Sequence, residues 1–357
     1  MIPGLLGVLG LVLLIVRMWP RPFHPCMVEP DSWPLVSIIV TVCNDEKKIG
    51  RLLDSLCSLD YLHYEVIVVD DSSADDTLVI ARRHKVRLIR GTRRPEGWNA
   101  QAWACYQGAQ AARGSYLLFT HVNTVHHTTS LRRVMYELLH GRAQGLSALP
   151  EYELPRIWTR LCGPFHVLLL ALTNPYGKPR SGQTFASGSY LLLERSIYDR
   201  IGGHIRVWAD GVDNTPLVEA VLTEGGRWKV YTGPTVFSLR LDESLADFIR
   251  GWRRHIRAGF AFRSWSTPFE ITLLFAAATG EGRWKEPDGW FIMLMTWFVL
   301  WRAQKNLGPF SLWGLLFLPF SLVLFCSVSM LGLWDRLLKR LLFWKKQVYP
   351  APAVESP

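Results

Sequence analysis

No C-x-x-C pair and no paired-histidine spacing occurs in this sequence, and its six cysteines, Cys26, Cys43, Cys57, Cys105, Cys162 and Cys326, stand far apart. That scatter argues against a disulfide framework or a zinc site and for a reducing compartment. A Walker loop and a G-x-G-x-x-G fingerprint are also absent, which removes support from ATPase and dehydrogenase readings. Acidic residues are the scarcer charge, 30 against 40 Lys and Arg, leaving a formal net charge of +10 and a pI near 9.4. No recognition-helix pattern or long basic tract ties that charge to nucleic acid. Anionic lipid headgroups and an anionic nucleotide substrate account for it instead.

What is present is apolar. Hydrophobic residues make up 49% of 357 positions, with 16 tryptophans, and the mean hydropathy is +0.11. These values suit a soluble α/β domain carrying membrane anchors, and the length exceeds what one core usually fills. Residues 1–20 read as an N-terminal transmembrane anchor, Ile2 to Val16 making a single crossing. The run from Ile2 to Val16 lacks the basic n-region and cleavage site of a signal peptide and closes on Arg17, Trp19 and Arg21, as an interface on the cytoplasmic side would. Residues 241–268 read as an interfacial amphipathic helix, with "GWRRHIRAGFAFRSW" mixing arginines and aromatics. Residues 269–335 read as a membrane hairpin, Trp290 to Trp301 with Pro309 to Trp334, beside a short interfacial run, Phe269 to Gly280. Residues 336–357 form a basic cytoplasmic tail. The whole reads as an integral membrane protein whose main domain faces the cytoplasm.

Residues 31–240 alternate strands and helices. Leu35 to Val42, Glu65 to Asp71, Val86 to Gly91 and Ser115 to Thr120 are dense in Val, Ile and Leu, as strands buried on both faces are. Between the first two, Ile49, Leu52, Leu53, Leu56 and Leu59 make one helical stripe. The βαβ order predicts an α/β, doubly wound, Rossmann-like parallel sheet, with ligands at the carboxyl ends of its strands. Thr41, Asn44, Asp45 and Glu46 follow the first strand, and Asp70 and Asp71 the second. Hydroxyls and carboxylates there can bind a ribose or a base edge, and they equally suit a solvated loop with a helix cap.

The stretch "PLVSIIVTVCNDEKKIGRLLDSLCSLDYLHYEVIVVDDSSADDT" resembles the opening of the inverting family 2 glycosyltransferases, enzymes of the GT-A fold. The likeness continues through "GWNAQAWACYQGAQAARGSYLLFT" and "TEGGRW", and the C-terminal runs and "FWKKQVYP" resemble the branch associated with carotenoid and hopanoid lipids. The resemblance implies a nucleoside diphosphate sugar donor, with Thr41, Asn44, Asp45 and Glu46 around the nucleoside and Asp71 facing the base or ribose. It implies a lipid or isoprenoid hydroxyl as acceptor, with Gly188, Ser189, Trp252 and His255 on the acceptor side.

The family's charged positions are altered here. The lysine near the donor phosphates is matched by Gln101. The Asp-x-Asp that binds Mg²⁺ or Mn²⁺ is matched by His121-Val122-Asn123, and the Glu-Asp pair carrying the catalytic base by Asp213-Asn214. A His nitrogen and a neutral Asn oxygen suit a hard divalent cation poorly, although imidazole can hold Mn²⁺ or a later metal through His121 with His126 or His127. An amide cannot serve as a general base near neutral pH, which leaves Asp213 or Asp210 to replace Asn214. His121 and His255 are candidate cations beside the diphosphate. Two functions follow: a transferase with a non-standard, metal-independent site, or a catalytically silent nucleotide-sugar-binding or scaffold protein of the same fold.

Overall fold

The computed structural model describes residues 4–23, 32–178, 184–208, 214–241, 244–258 and 266–345. Ten strands follow in chain order: β1 (Val36–Val42), β2 (Tyr64–Asp70), β3 (Arg87–Arg90), β4 (Tyr116–Thr120), β5 (Thr124–His126), β6 (Gly145–Leu149), β7 (Glu151–Glu153), β8 (Tyr190–Glu194), β9 (Trp228–Thr232) and β10 (Phe237–Arg240). Seven form the main sheet in the order β3-β2-β1-β4-β8-β6-β9, and β5-β10-β7 form a small second sheet. β1 sends Val36, Ile38, Val40 and Val42 into one core and Ile39 into the other, all nearly or fully buried. Each such side chain stabilises the fold by about 1.5–3 kcal/mol. Two-sided burial is why these strands read as continuous apolar runs.

The expected all-parallel sheet is corrected in one respect. β1 to β4 run parallel, but β8 lies antiparallel between β4 and β6. An apolar run buried on both faces carries no mark of its direction, so the reversal is invisible in the pattern. It has a consequence for the site: Tyr190, at the start of β8, pairs with Thr120 at the end of β4. Gly188 and Ser189 therefore arrive at the same sheet edge as the ends of β1, β2 and β4.

Beneath the sheet the helix Gly163–Thr173 is buried at every residue. The N-terminal helix, Leu5–Met18, lies against the helix Thr267–Thr279; a Cβ on Gly10 would sit 1.9 Å from the Leu273 carbonyl oxygen, so only glycine permits the approach. Arg17, expected at a membrane interface, is instead buried. It makes a bidentate pair with Glu270 at 2.7 and 2.8 Å and donates to the Ala171 carbonyl at 3.1 Å. One guanidinium thus joins the first helix, the Thr267–Thr279 helix and the domain.

The helix Pro287–Lys305 packs along Thr267–Thr279, with Trp297 Nε1 donating to the Ala278 carbonyl at 3.3 Å. The run Trp290 to Trp301 is therefore partnered by the shorter run before it. The C-terminal helix, Leu318–Lys345, meets the amphipathic helix Leu245–Ala258, where Arg253 Nη2 donates to Asp335 at 2.6 Å. By length and composition Leu318–Asp335 can cross a membrane, and it is the one such stretch among the described residues. The N-terminal helix has 14 residues, short of the ~20 of a full span. Its outer face still exposes Val8, Leu9, Val12, Val16 and Trp19.

Candidate functional site

The loops after β1 and β2 are laced together. Asn44 and Ser72 both take left-handed backbone conformations, with φ of 55° and 64°. Asn44 donates its amide to Ser73 Oγ at 3.0 Å and accepts from the Ala74 amide at 2.8 Å. The Asp45 amide donates to Thr77 Oγ1 at 2.8 Å, and Glu46 accepts from the Asp76 amide at 3.3 Å. These side chains therefore fix the loop that carries Asp71 as well as edging it. The result is an acidic rim: partial burial raises the Cys43 thiol first, and the charges of Asp71, Asp45, Asp70 and Asp75 raise it further.

Beside that rim lies a narrow cleft lined by Thr41, Gln101, Phe119, Thr120, Gly188 and Asn214, among others. Asn99 caps the helix Ala100–Ala111, its side chain accepting from the Gln101 amide at 2.9 Å, and this holds Gln101 at the first turn. The Gln101 side-chain nitrogen lies 3.1 Å from His121 Nε2. An amide nitrogen can only donate, so His121 Nε2 accepts and the ring proton sits on Nδ1. A Cβ on Gly188 would lie 3.0 Å from His121 Nε2 and 3.3 Å from Asn214 Nδ2. The structure thus gathers Gln101, His121 and Asn214, three positions on separate segments, around one glycine.

The surroundings are nearly neutral. Burial pushes His121 down to about 4, so its ring is uncharged near neutral pH in the free protein and would act as a cation only if a bound diphosphate raised it. His255 is exposed. His126 does not join His121: it is buried, its Nε2 lies 3.0 Å from Thr120 Oγ1, and burial pushes it to about 3. His127 is exposed. Asn123 is fixed by its backbone, its carbonyl accepting from the Arg240 amide at 3.3 Å. Among the described residues no group of three or more His, Cys, Asp or Glu converges as a metal site. With His121 Nε2 facing an amide N–H, these residues do not fit a hard divalent ion.

Ser189 enters through its carbonyl, which accepts from Thr120 Oγ1 at 2.9 Å. Trp252 packs on Phe165 and His166, so it braces the amphipathic helix and does not line the cleft. Asn214 is buried and starts the helix Thr215–Thr223. Asp210 and Asp213 lie outside the described residues. His204, which the sequence did not single out, also lines the cleft, with Nδ1 2.8 Å from the Tyr198 hydroxyl. Its only sequence cue is its place after the Gly202-Gly203 turn.

Residues 37–202 match the model of the family described as Glycosyl transferase family 2. The chain carries a family 2 glycosyltransferase domain. Curated relatives of the domain include the 4,4'-diaponeurosporenoate glycosyltransferases of Staphylococcus haemolyticus, 24% identical over 65% of this chain and 63% of that one, and of Staphylococcus aureus strain MRSA252, 26% identical over 63% and 61%. The chain thus spans less than two thirds of the length of these relatives. Among solved structures, the mannosyltransferase PcManGT from Pyrobaculum calidifontis, determined with GDP-Man and Mn²⁺, aligns over 96% of this chain and 100% of its own. Its TM-score is 0.53 at 18% identity, a likeness of fold. The glycosyltransferase domain accordingly has the expected GT-A architecture, with a mixed sheet.

Proposed function

We propose that the chain transfers a sugar, with inversion, from a nucleoside diphosphate donor to a lipid acceptor at the cytoplasmic face of a membrane, through a site that does not use a divalent metal in the usual position. The observation that carries this reading is the convergence of Gln101, His121, Gly188 and Asn214 on one cleft at the sheet edge, next to the laced loops of β1 and β2. In such a site the nucleoside meets the Asn44 to Asp71 rim. The Gln101 and Asn214 amides offer N–H groups toward the charge that develops on the leaving diphosphate. Relatives named for 4,4'-diaponeurosporenoate support a carotenoid-type acceptor. The exposed apolar faces of the N-terminal helix and the C-terminal helices support its arrival from the bilayer. Arg17, Arg21, Arg302 and Lys305 lie at the domain-side ends of their helices, against Arg283 and Lys285 at the opposite turn. That asymmetry supports a cytoplasmic domain.

A second reading is a silent nucleotide-sugar-binding relative, favoured by the Gln101–His121 contact across the cleft and by an amide where a base is expected. Purified full-length protein given UDP-glucose or GDP-mannose separates the two. Turnover that persists in EDTA supports the transferase. Nucleotide binding without turnover, with activity gained by a His121→Asp, Asn123→Asp, Asn214→Asp variant, supports the silent relative.

A further inference from the structure

The helix Ala100–Ala111 carries its small residues inside and its large ones outside. Ala102, Ala104, Cys105, Gly108 and Ala109 are buried against the main sheet. A Cβ on Gly108 would sit 2.5 Å from Ile39 Cγ2, so only small side chains fit on that face. On the outer stripe Trp103 and Tyr106 stay half-buried, and Trp98 lies against both, with ring centroids 5.1 and 5.7 Å away. The outward stripe of a surface helix is ordinarily polar, and partly exposed aromatics gathered in one place mark a contact surface.

Three arginines border these rings. The Arg87 guanidinium donates to the Ala111 carbonyl at 2.7 Å, at the C-terminal end of the helix. Arg93 and Arg94 are both exposed and follow Thr92, which is tied to the outer stripe. The Thr92 amide donates to Gln107 Oε1 at 2.7 Å, and Trp103 Nε1 donates to the Thr92 carbonyl at 3.1 Å. Glu96 is the one carboxylate between Gly91 and Asn99. Arg87 stands on β3, the edge strand of the main sheet. Charge alone keeps such an edge from pairing with another chain, and the rings beside it add nothing to that purpose.

The core sets the direction in which this face looks. Ala104, Cys105 and Ala109 share one apolar cluster with Leu14, Leu274, Leu300 and Phe325, whereas the helix Glu46–Cys57 packs on the other face of the sheet. The outer stripe of Ala100–Ala111 is therefore turned to the side on which the apolar helices lie.

We propose that this face is a further membrane contact, a docking surface for anionic lipid headgroups. Arg87, Arg93 and Arg94 meet the lipid phosphates, and Trp98, Trp103 and Tyr106 settle at the headgroup level, where indole and phenol rings with basic neighbours are at home. Because the same helix begins beside Gln101, docking here holds the rim of the cleft against the bilayer. The inference rests on the membrane reading above and not on the chemistry of the transfer.

The test places the full chain in lipid discs of phosphatidylcholine and in discs enriched in phosphatidylglycerol, and follows amide hydrogen exchange from Arg87 to Trp98 by mass spectrometry. An arginine at an anionic surface is worth a factor of roughly five, so three should shift the docking equilibrium about a hundredfold. Exchange should slow in the anionic discs and recover as salt rises. Arg93→Gln with Arg94→Gln should abolish most of the slowing. Lys47→Gln, Lys48→Gln and Arg227→Gln remove three exposed cations from the opposite face and the opposite edge, and should leave it intact. Equal exchange in both discs overturns the inference, as does slowing that survives the arginine variant or is lost equally in the lysine one. Slowing by UDP or GDP in phosphatidylcholine, with no effect of phosphatidylglycerol, assigns the arginines to the donor and also overturns it. If the chain enters no disc, the membrane reading fails separately, and flotation with phosphatidylglycerol vesicles decides. Capture that the arginine variant loses supports the docking surface, and no capture sinks it.

Discussion

Gln101 donates a side-chain N–H to His121 Nε2 across 3.1 Å, joining the two positions at which relatives of this fold are expected to hold a lysine and a metal-binding aspartate. Replacing Gln101 with Leu removes that bond and leaves a half-buried imidazole nitrogen without a partner. The expected cost is ~1–3 kcal/mol, visible as a lower denaturation midpoint, together with weaker binding of UDP or GDP in calorimetry. An unchanged nucleotide affinity would place Gln101 outside the donor site.

Acid should destabilise the protein before any carboxylate titrates. His121, His126 and His204 have folded pKa values of about 4, 3 and 3, below the 6.5 of a free imidazole. Where the unfolded chain binds more protons than the native one, stability rises with pH and is lost as pH drops. The contribution of these rings is complete above pH ~6.5 and declines as pH drops toward 4 and below. Melting temperatures measured from pH 7.5 to 5 should decrease steadily, and His126→Gln, which cannot charge, should flatten the slope.

The Arg17–Glu270 pair should be costly to break on one side. Arg17→Met removes the guanidinium from a buried carboxylate, a change worth ~3–5 kcal/mol, whereas Arg17→Met with Glu270→Met should recover much of it. Thermal stability in detergent distinguishes these outcomes, and equal behaviour of the single and double variants would show that the pair is not a unit.

Gly10→Val should detach the N-terminal helix from its neighbour, because its Cβ would sit 1.9 Å from the Leu273 oxygen. The strain is ~1–3 kcal/mol. The readout is faster protease cleavage between the N-terminal helix and β1, with Val12→Ile on the exposed face as the neutral control.

Much of this architecture was legible in the chain because burial writes itself into composition. β1, β2 and β4 are runs of branched residues covered on both faces, and the Ile49, Leu52, Leu53, Leu56 stripe marks the helix Glu46–Cys57 that covers one of them. The direction of β8 was not legible, since Tyr190 to Leu193 would bury equally well either way round. Gln101, His121 and Asn214 were each readable by alignment to a resembled family, but the spacing of three residues along a chain does not show that they meet at Gly188. Arg17 misled for a physical reason: an arginine ending an apolar run is the usual mark of an interface, and only the position of Glu270, 253 residues later, shows that it is buried.

That separation bears on how the protein is made. The first helix leaves the ribosome with a bare guanidinium whose partner carboxylate is 253 residues away. At ~5–20 residues per second the interval is roughly ten to fifty seconds. During that time Arg17 cannot take its buried place against Ala171, since a guanidinium is strongly unfavourable there without its carboxylate. The N-terminal helix, although translated first, is thus among the last pieces to reach its native place, and a chain stalled before Glu270 has no route to that place.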